Sequence, residues 1–220
     1  RTGVSLVLAA GDVITCGFTN TKRPEISVEK TAVGGEGSFD FTLTGDGGSV
    51  QPVATTNGGG SYTWGPAGLT PGGTYTLSET VQDGWVSTFN SCEGVEVTSS
   101  TASSVTFIAE PGATITCDFT NVKRPEISVA KTAVGGEGSF DFTLTGDDGG
   151  SAVVVSTTAG VGSYTWGPAG LTPGGTYTLS ETFKDGWVST YNSCTGVTVT
   201  SSTASSVTFT AMPGATITCA

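Results

Sequence analysis

The sequence predicts an all-β chain organised as tandem immunoglobulin-like or transthyretin-like β-sandwich domains, and three observations carry that prediction. Runs of 5 to 9 residues alternate apolar and polar side chains, the period of a half-buried strand, and no stretch has helical periodicity. Gly, Pro, Asp and Asn separate the runs, as turns require. The whole pattern then recurs about every 100 residues, the length of one sandwich domain.

The repeat sets the organisation. PEISVEKTAVGGEGSFDFTLTGD at 24 to 46 recurs at 125 to 147 with one change, Glu29 becoming Ala130. SYTWGPAGLTPGGTYTLSET at 61 to 80 recurs unchanged at 163 to 182, so one residue has entered the loop around Asp147 and Asp148. GDVITCGFTN at 11 to 20 matches GATITCDFTN at 112 to 121. Residues 1 to 23 therefore read as the C-terminal strands of a preceding repeat, and 24 to 124 as a complete β-sandwich repeat. Residues 125 to 220 read as a second repeat, truncated before its last strand ends. The junction from Val122 to Glu126 is short and restrained by Pro125, which predicts a stiff rod rather than flexibly linked domains.

In chain order, the strands of the complete repeat are expected at ISVEKTA, SFDFTLT, SYTWG, TYTLSET, WVSTF, VEVTS, SVTFIA and ATITCDFTN. Gly34 to Gly37 and Gly58 to Gly60 are loops, because neither is followed by the Lys and helix of a phosphate cradle. Gly45-Asp46-Gly47-Gly48 and Gly146-Asp147-Asp148-Gly149 read as β-turns, since one or two carboxylates fall short of the 6 to 8 oxygens of a Ca²⁺ site.

Composition narrows the function. At 36% hydrophobic and 12% charged, the chain should fold. Eight Lys+Arg against 19 Asp+Glu give a net charge of −11, which leaves no basic patch for nucleic acid. The absence of His removes the commonest general base and metal ligand, so no cofactor or metal is expected and an ordinary hydrolase is argued against. Neither a membrane span nor a signal peptide is visible between residues 1 and 220.

The five cysteines fall as one pair per repeat: Cys92 with Cys117, and Cys194 with Cys219. Cys16 aligns with Cys117, so its partner is expected before residue 1. Structural disulfides of this kind imply an oxidising, extracellular setting; the alternative is a pair of buried free thiols in each repeat.

Strand parity puts three polar side chains on apolar faces. Lys30 shares a face with Ile26 and Val28, Glu79 with Tyr75 and Leu77, and Asn121 with Ile115, Cys117 and Phe119. Burying them unpaired costs several kcal/mol each, so they need one another or a reaction.

These residues resemble a known family. V-x-K on the first strand, G-x-Y-x-L-x-E-T from Gly73 to Thr80 followed by Gly84-Trp85, and F-x-N on the last strand are similar to the collagen-adhesin B-type, or SpaA-type, domains of bacterial surface proteins and pilins. The resemblance implies a spontaneous isopeptide bond between Lys30 and Asn121 assisted by Glu79. It carries Lys131 and Glu181 into the second repeat, whose Asn would follow Ala220, and makes Asn20 the acceptor for a lysine before Arg1.

The chemistry is coherent. A neutral Lys30 attacks, while a protonated Glu79 polarises the Asn121 carbonyl and shuttles a proton; ammonia leaves, and rigid strands supply proximity. Two other readings stay open: a buried Lys–Glu ion pair capped by Asn121, or a Lys30 that snorkels to the domain edge. Trp64, Trp85, Trp166 and Trp187 offer a sugar-stacking surface, against which stands their position in strands, where aromatics pack. Thr98 to Ser104 offers O-glycosylation sites, or simply a solvated strand face.

The function expected is a structural segment of an extracellular, cell-surface fibre, stalk or filament, with neighbouring repeats as partners and possible self-association. The alternatives are an adhesin for a host, sugar or surface ligand, and an accessory module of a secreted enzyme whose catalytic residues lie elsewhere.

Overall fold

The computed structural model describes residues 5–146 and 149–220, in which the named regular elements are all strands and no helix is long and apolar enough to cross a membrane. The first sandwich comprises β1 (Glu25–Val33), β2 (Ser38–Thr44), β3 (Val50–Ala54), β4 (Gly59–Trp64), β5 (Gly73–Glu79), β6 (Trp85–Glu93), β7 (Val97–Thr101), β8 (Ser104–Ala109) and β9 (Thr114–Lys123). The second comprises β10 (Glu126–Thr132), β11 (Ser139–Gly146), β12 (Gly149–Ser156), β13 (Val161–Trp166), β14 (Thr176–Glu181), β15 (Cys194–Thr195), β16 (Val199–Ser202), β17 (Ser206–Thr210) and β18 (Thr216–Cys219).

Each sandwich packs a four-stranded sheet on a five-stranded one. The orders are β4-β1-β9-β6 over β3-β2-β5-β8-β7, and β13-β10-β18-β15 over β12-β11-β14-β17-β16. Alternation makes this possible. Ile26, Val28, Ile115 and Phe119 line one inner face and Phe39, Phe41, Leu43, Leu77 and Phe107 the other, all buried. The first and last strands of the unit, β1 and β9, are neighbours and run parallel, in register from Glu25 opposite Thr114 to Val33 opposite Val122.

The fold is all-β, two sandwiches in tandem, as expected. One strand is not legible beforehand: β3 contains Pro52, yet it pairs with β2 through Asp40 opposite Pro52. It lies at a sheet edge, where a residue without an N–H forfeits no ladder bond.

Residues 5–23 differ from the strands expected there. They form no ladder with the rest of the described chain, and Val7, Val13 and Phe18 stand exposed. A strand exists only where a neighbour takes its N–H and C=O groups in succession, and no described residue does so along this segment, where Gly112 N meets the Lys22 carbonyl alone. The same rule explains a contrast between the units. β6 pairs with β9 from Trp85 opposite Lys123 to Glu93 opposite Thr116, whereas β18 ends at Cys219 and β15 shrinks to two residues. Val188, in the segment matching β6, is 91% exposed.

The junction between the sandwiches is pinned on both sides. The Arg124 amide donates to the Gly84 carbonyl (2.8 Å), and its Nη1 donates to the Leu171 carbonyl of the following unit (2.5 Å). Gly214 N donates to the Lys123 carbonyl and Glu126 N to that of Ala215, both at 2.9 Å. The pattern is periodic: Arg23 reaches the Leu69 carbonyl, and Gly112 N donates to the Lys22 carbonyl. Gly214, at φ +69°, lies so close to the first unit that a Cβ there would fall 1.8 Å from the Gly34 carbonyl oxygen.

Candidate crosslinking site

Parity on β1 sends Lys30 inward behind Ile26 and Val28, and the side chain stays inside at 1% exposure, so it does not snorkel. Asn121 comes from β9 and is 0% exposed. Lys30 pairs with Phe119, which places Asn121 one inward step further along the adjacent strand. Glu79 ends β5 in the facing sheet, opposite Phe41 of β2, at 5% exposure. Three strands from two sheets thus converge on one buried spot.

Glu79 is the centre of the cluster. Lys30 Nζ lies 3.1 Å from Glu79 Oε1 and donates to Oε2 at 3.3 Å, while Asn121 Nδ2 donates to Oε1 at 2.6 Å. Phe39 and Phe41 form a platform under the ammonium, with ring centroids 4.7 and 5.8 Å from Nζ. Burial lowers the Lys30 pKa, and the Glu79 charge and hydrogen bond oppose that shift without reversing it. Lys30 is therefore easier to deprotonate than an ordinary lysine.

One detail departs from the chemistry expected of the sequence. Glu79 engages the nitrogen end of the Asn121 carboxamide, leaving Oδ1 buried and without a hydrogen bond. The carboxyl group therefore bridges Lys30 Nζ and Asn121 Nδ2 and makes no contact with the carbonyl oxygen. The aromatic platform is a feature beyond those expected of the sequence, although its signal is the inward alternation of Phe39 and Phe41 in SFDFTLT.

In the second unit Lys131 Nζ lies 2.7 Å from Glu181 Oε1 and 4.4 Å from the Phe140 centroid. Their side chains are 13% and 9% exposed, in an open cleft also lined by Tyr191 and Ala220. Asn20 and Cys16 are exposed and stand apart from both clusters.

Disulfides join Cys92 to Cys117 and Cys194 to Cys219, each across adjacent antiparallel strands. The Asp46 carboxylate accepts from Thr70 Oγ1 at 3.1 Å within a turn, while Asp147 and Asp148 lie outside the described residues. All four Trp side chains pack into cores: Trp64 and Trp166 are buried, and Trp85 and Trp187 stand edge-on to Phe39 and Phe140 at 5.1 Å. Thr98 and Thr101 are exposed on the β7 edge, where Thr98 Oγ1 donates to the Thr106 carbonyl (2.8 Å).

No curated protein matches this chain. Among solved structures it is similar to the Bacillus anthracis TIE protein, at 17% identity and TM-score 0.32 over 90% of this chain and 33% of that one. This chain thus spans about a third of the length of that protein. It is similar to the shaft pilin SpaA of Lactobacillus rhamnosus GG, at 14% identity and TM-score 0.31, covering 91% of this chain and 98% of the pilin. A Mobiluncus mulieris adhesin containing intramolecular disulfide, isopeptide and ester bond cross-links matches at 14% identity and TM-score 0.35, over 85% and 84% of the two chains.

Family models decide the assignment. Two models of a prealbumin-like fold domain match, one at residues 26–123 and again at 127–220, the other at residues 1–22. These spans take in most of the sequence, both sandwiches and the cluster of Lys30, Glu79 and Asn121: the chain belongs to the SpaA-type family of prealbumin-like domains.

Proposed function

We propose that the chain is a load-bearing tandem-repeat segment of an extracellular bacterial surface fibre, stalk or filament. In this reading the complete repeat is closed by the Cys92–Cys117 disulfide and by an isopeptide bond from Lys30 to Asn121. The chain serves as structure, and its only chemistry is one self-directed turnover. Neighbouring repeats of the same chain are its partners, with association into filaments at the cell surface.

The observation that carries this reading is the buried contact of Lys30 and Asn121 with one carboxyl group. Lys30 Nζ adds to Asn121 Cγ, forming the new C–N bond. Glu79 takes the proton from Nζ through the contact already made and passes it to Nδ2, the atom that already donates to Oε1. The Cγ–Nδ2 bond breaks and ammonia leaves. Strand register supplies the proximity, which can be worth about 7–11 kcal/mol of barrier for well-oriented groups. Tension entering at β1 would then pass directly to β9 and out through Lys123, sparing residues 31 to 120.

Intact mass of the reduced chain tests this. The wild type is expected to be light by one ammonia, and Lys30→Ala and Glu79→Ala to have the full mass of their sequences. A wild type of full mass would leave the three residues as a buried ion pair capped by Asn121, with the disulfide and core packing alone holding the module.

A further inference from the structure

The crosslinking step leaves one atom unattended. As Lys30 attacks, negative charge develops on Asn121 Oδ1, and Glu79 is engaged at the other end of the carboxamide. We infer that Ser87 is the donor that stabilises this oxygen, an assignment that rests on the isopeptide reading above.

The register places it there. β6 runs antiparallel to β9 with Ser87 directly opposite Asn121, between the pairs Trp85–Lys123 and Phe89–Phe119. Trp85 and Phe89 pack against the core, and the Phe89 and Phe119 rings are 5.3 Å apart, so the intervening Ser87 shares their inward face with Asn121. Directly opposed residues on one face of an antiparallel pair have Cβ atoms about 4.5–5.5 Å apart, within reach of a hydroxyl that rotates about χ1.

The hydrogen-bond inventory supports it. Ser87 Oγ and Asn121 Oδ1 are both buried without a hydrogen-bond partner, and among the described residues only Trp166 Nε1, in the other unit, shares that condition. An unpaired buried polar atom costs about 1–3 kcal/mol. Here a spare donor and a spare acceptor occupy facing positions on neighbouring strands. A position between two aromatics in an apolar core suits Val or Ala, yet the run Trp85-Val86-Ser87-Thr88 carries a hydroxyl, and Ser189 repeats it in Trp187-Val188-Ser189-Thr190. The bonds made and broken are those of the step above; the Ser87 proton stays on Oγ and hydrogen-bonds the oxyanion while it exists. Loss of one such donor typically slows a reaction roughly 100- to 1,000-fold.

The test follows the rate of crosslinking. The full chain is made by cell-free synthesis under oxidising conditions, quenched in acid at intervals, reduced and weighed, as wild type, Ser87→Thr and Ser87→Val. Thr and Val match in shape and differ by the hydroxyl. Ammonia loss in Ser87→Val is expected to slow roughly 100-fold, with Ser87→Thr within a few-fold of wild type and each protein ending one ammonia lighter than its own sequence. Disulfide formation at Cys92–Cys117, read from an unreduced portion of each sample, reports folding in each variant. Should Val disturb it, Ser87→Ala removes the hydroxyl without added bulk and is expected to be equally slow. A valine or alanine variant that folds and crosslinks at the wild-type rate overturns the role of Ser87 alone, as does a threonine variant as slow as valine. A wild type that never loses ammonia overturns the isopeptide reading and this role with it.

Discussion

Lys30 and Asn121 stand on parallel neighbouring strands one inward step apart, and both hydrogen-bond the same Glu79 carboxyl group from the facing sheet. Because β1 opens the unit and β9 closes it, a bond between these residues turns almost the whole domain into a closed loop. By the chain-entropy argument used for disulfides, closing a loop of about 100 residues restricts the unfolded state by about 4.7 kcal/mol. Asn121→Ala, which cannot crosslink, is therefore expected to unfold at a markedly lower guanidinium concentration than the crosslinked wild type. Equal midpoints for the two proteins would contradict a covalent bond at this site.

The lowered pKa of Lys30 gives the reaction a pH signature. Only the neutral amine attacks, so the rate of ammonia loss should climb with pH and level off below the usual 10.5, since burial outweighs the opposing pull of Glu79. Linkage has a definite sign in the uncrosslinked chain. The native state sheds the Lys30 proton at a lower pH than the unfolded state, so the unfolded state binds more protons between the lowered value and 10.5. Over that window Asn121→Ala should gain stability as pH rises, relative to Asn121→Ala/Lys30→Met, and the difference should be flat above 10.5. Urea titrations of the pair at several pH values measure it; a difference that grows as pH falls would mean the pKa is raised instead.

Much of this site is legible in the sequence because strands have period 2. Parity alone sets Lys30, Glu79 and Asn121 among apolar neighbours, and the repeat shows that the pattern is no accident of one strand. What parity cannot supply is the pairing of strands distant in sequence. That β1 lies beside β9, and that β6 faces β9 with Ser87 opposite Asn121, are facts of register. The same limit hides the platform of Phe39 and Phe41, which meets Lys30 only because the two sheets stack. Pro52 conceals β3 for a different reason: proline is read as a strand breaker, and only a known edge position lifts that rule. The orientation of the Asn121 carboxamide depends on which donors and acceptors surround it, information that no local pattern contains.

The load-bearing role proposed for this chain would need stiff joints, and the junction between the units depends on the absence of a side chain. Gly214 approaches Gly34 closely enough that any Cβ would collide with its carbonyl, and Gly34 in turn has the Pro213 backbone 2.6 Å from where its own Cβ would lie. Both are contacts between units and neither is part of a core. Gly214→Ala should therefore open the joint while leaving each sandwich folded, with a local cost of about 1 kcal/mol for a non-glycine residue at φ +69°. Arg124→Ala removes the bond to the Leu171 carbonyl, and a weaker loosening of the same kind is expected. Small-angle scattering of the full chain, with circular dichroism as the control for folding, reads both effects. Two variants with unchanged scattering profiles would mean that the backbone bonds at Lys123 and Arg124 hold the joint by themselves.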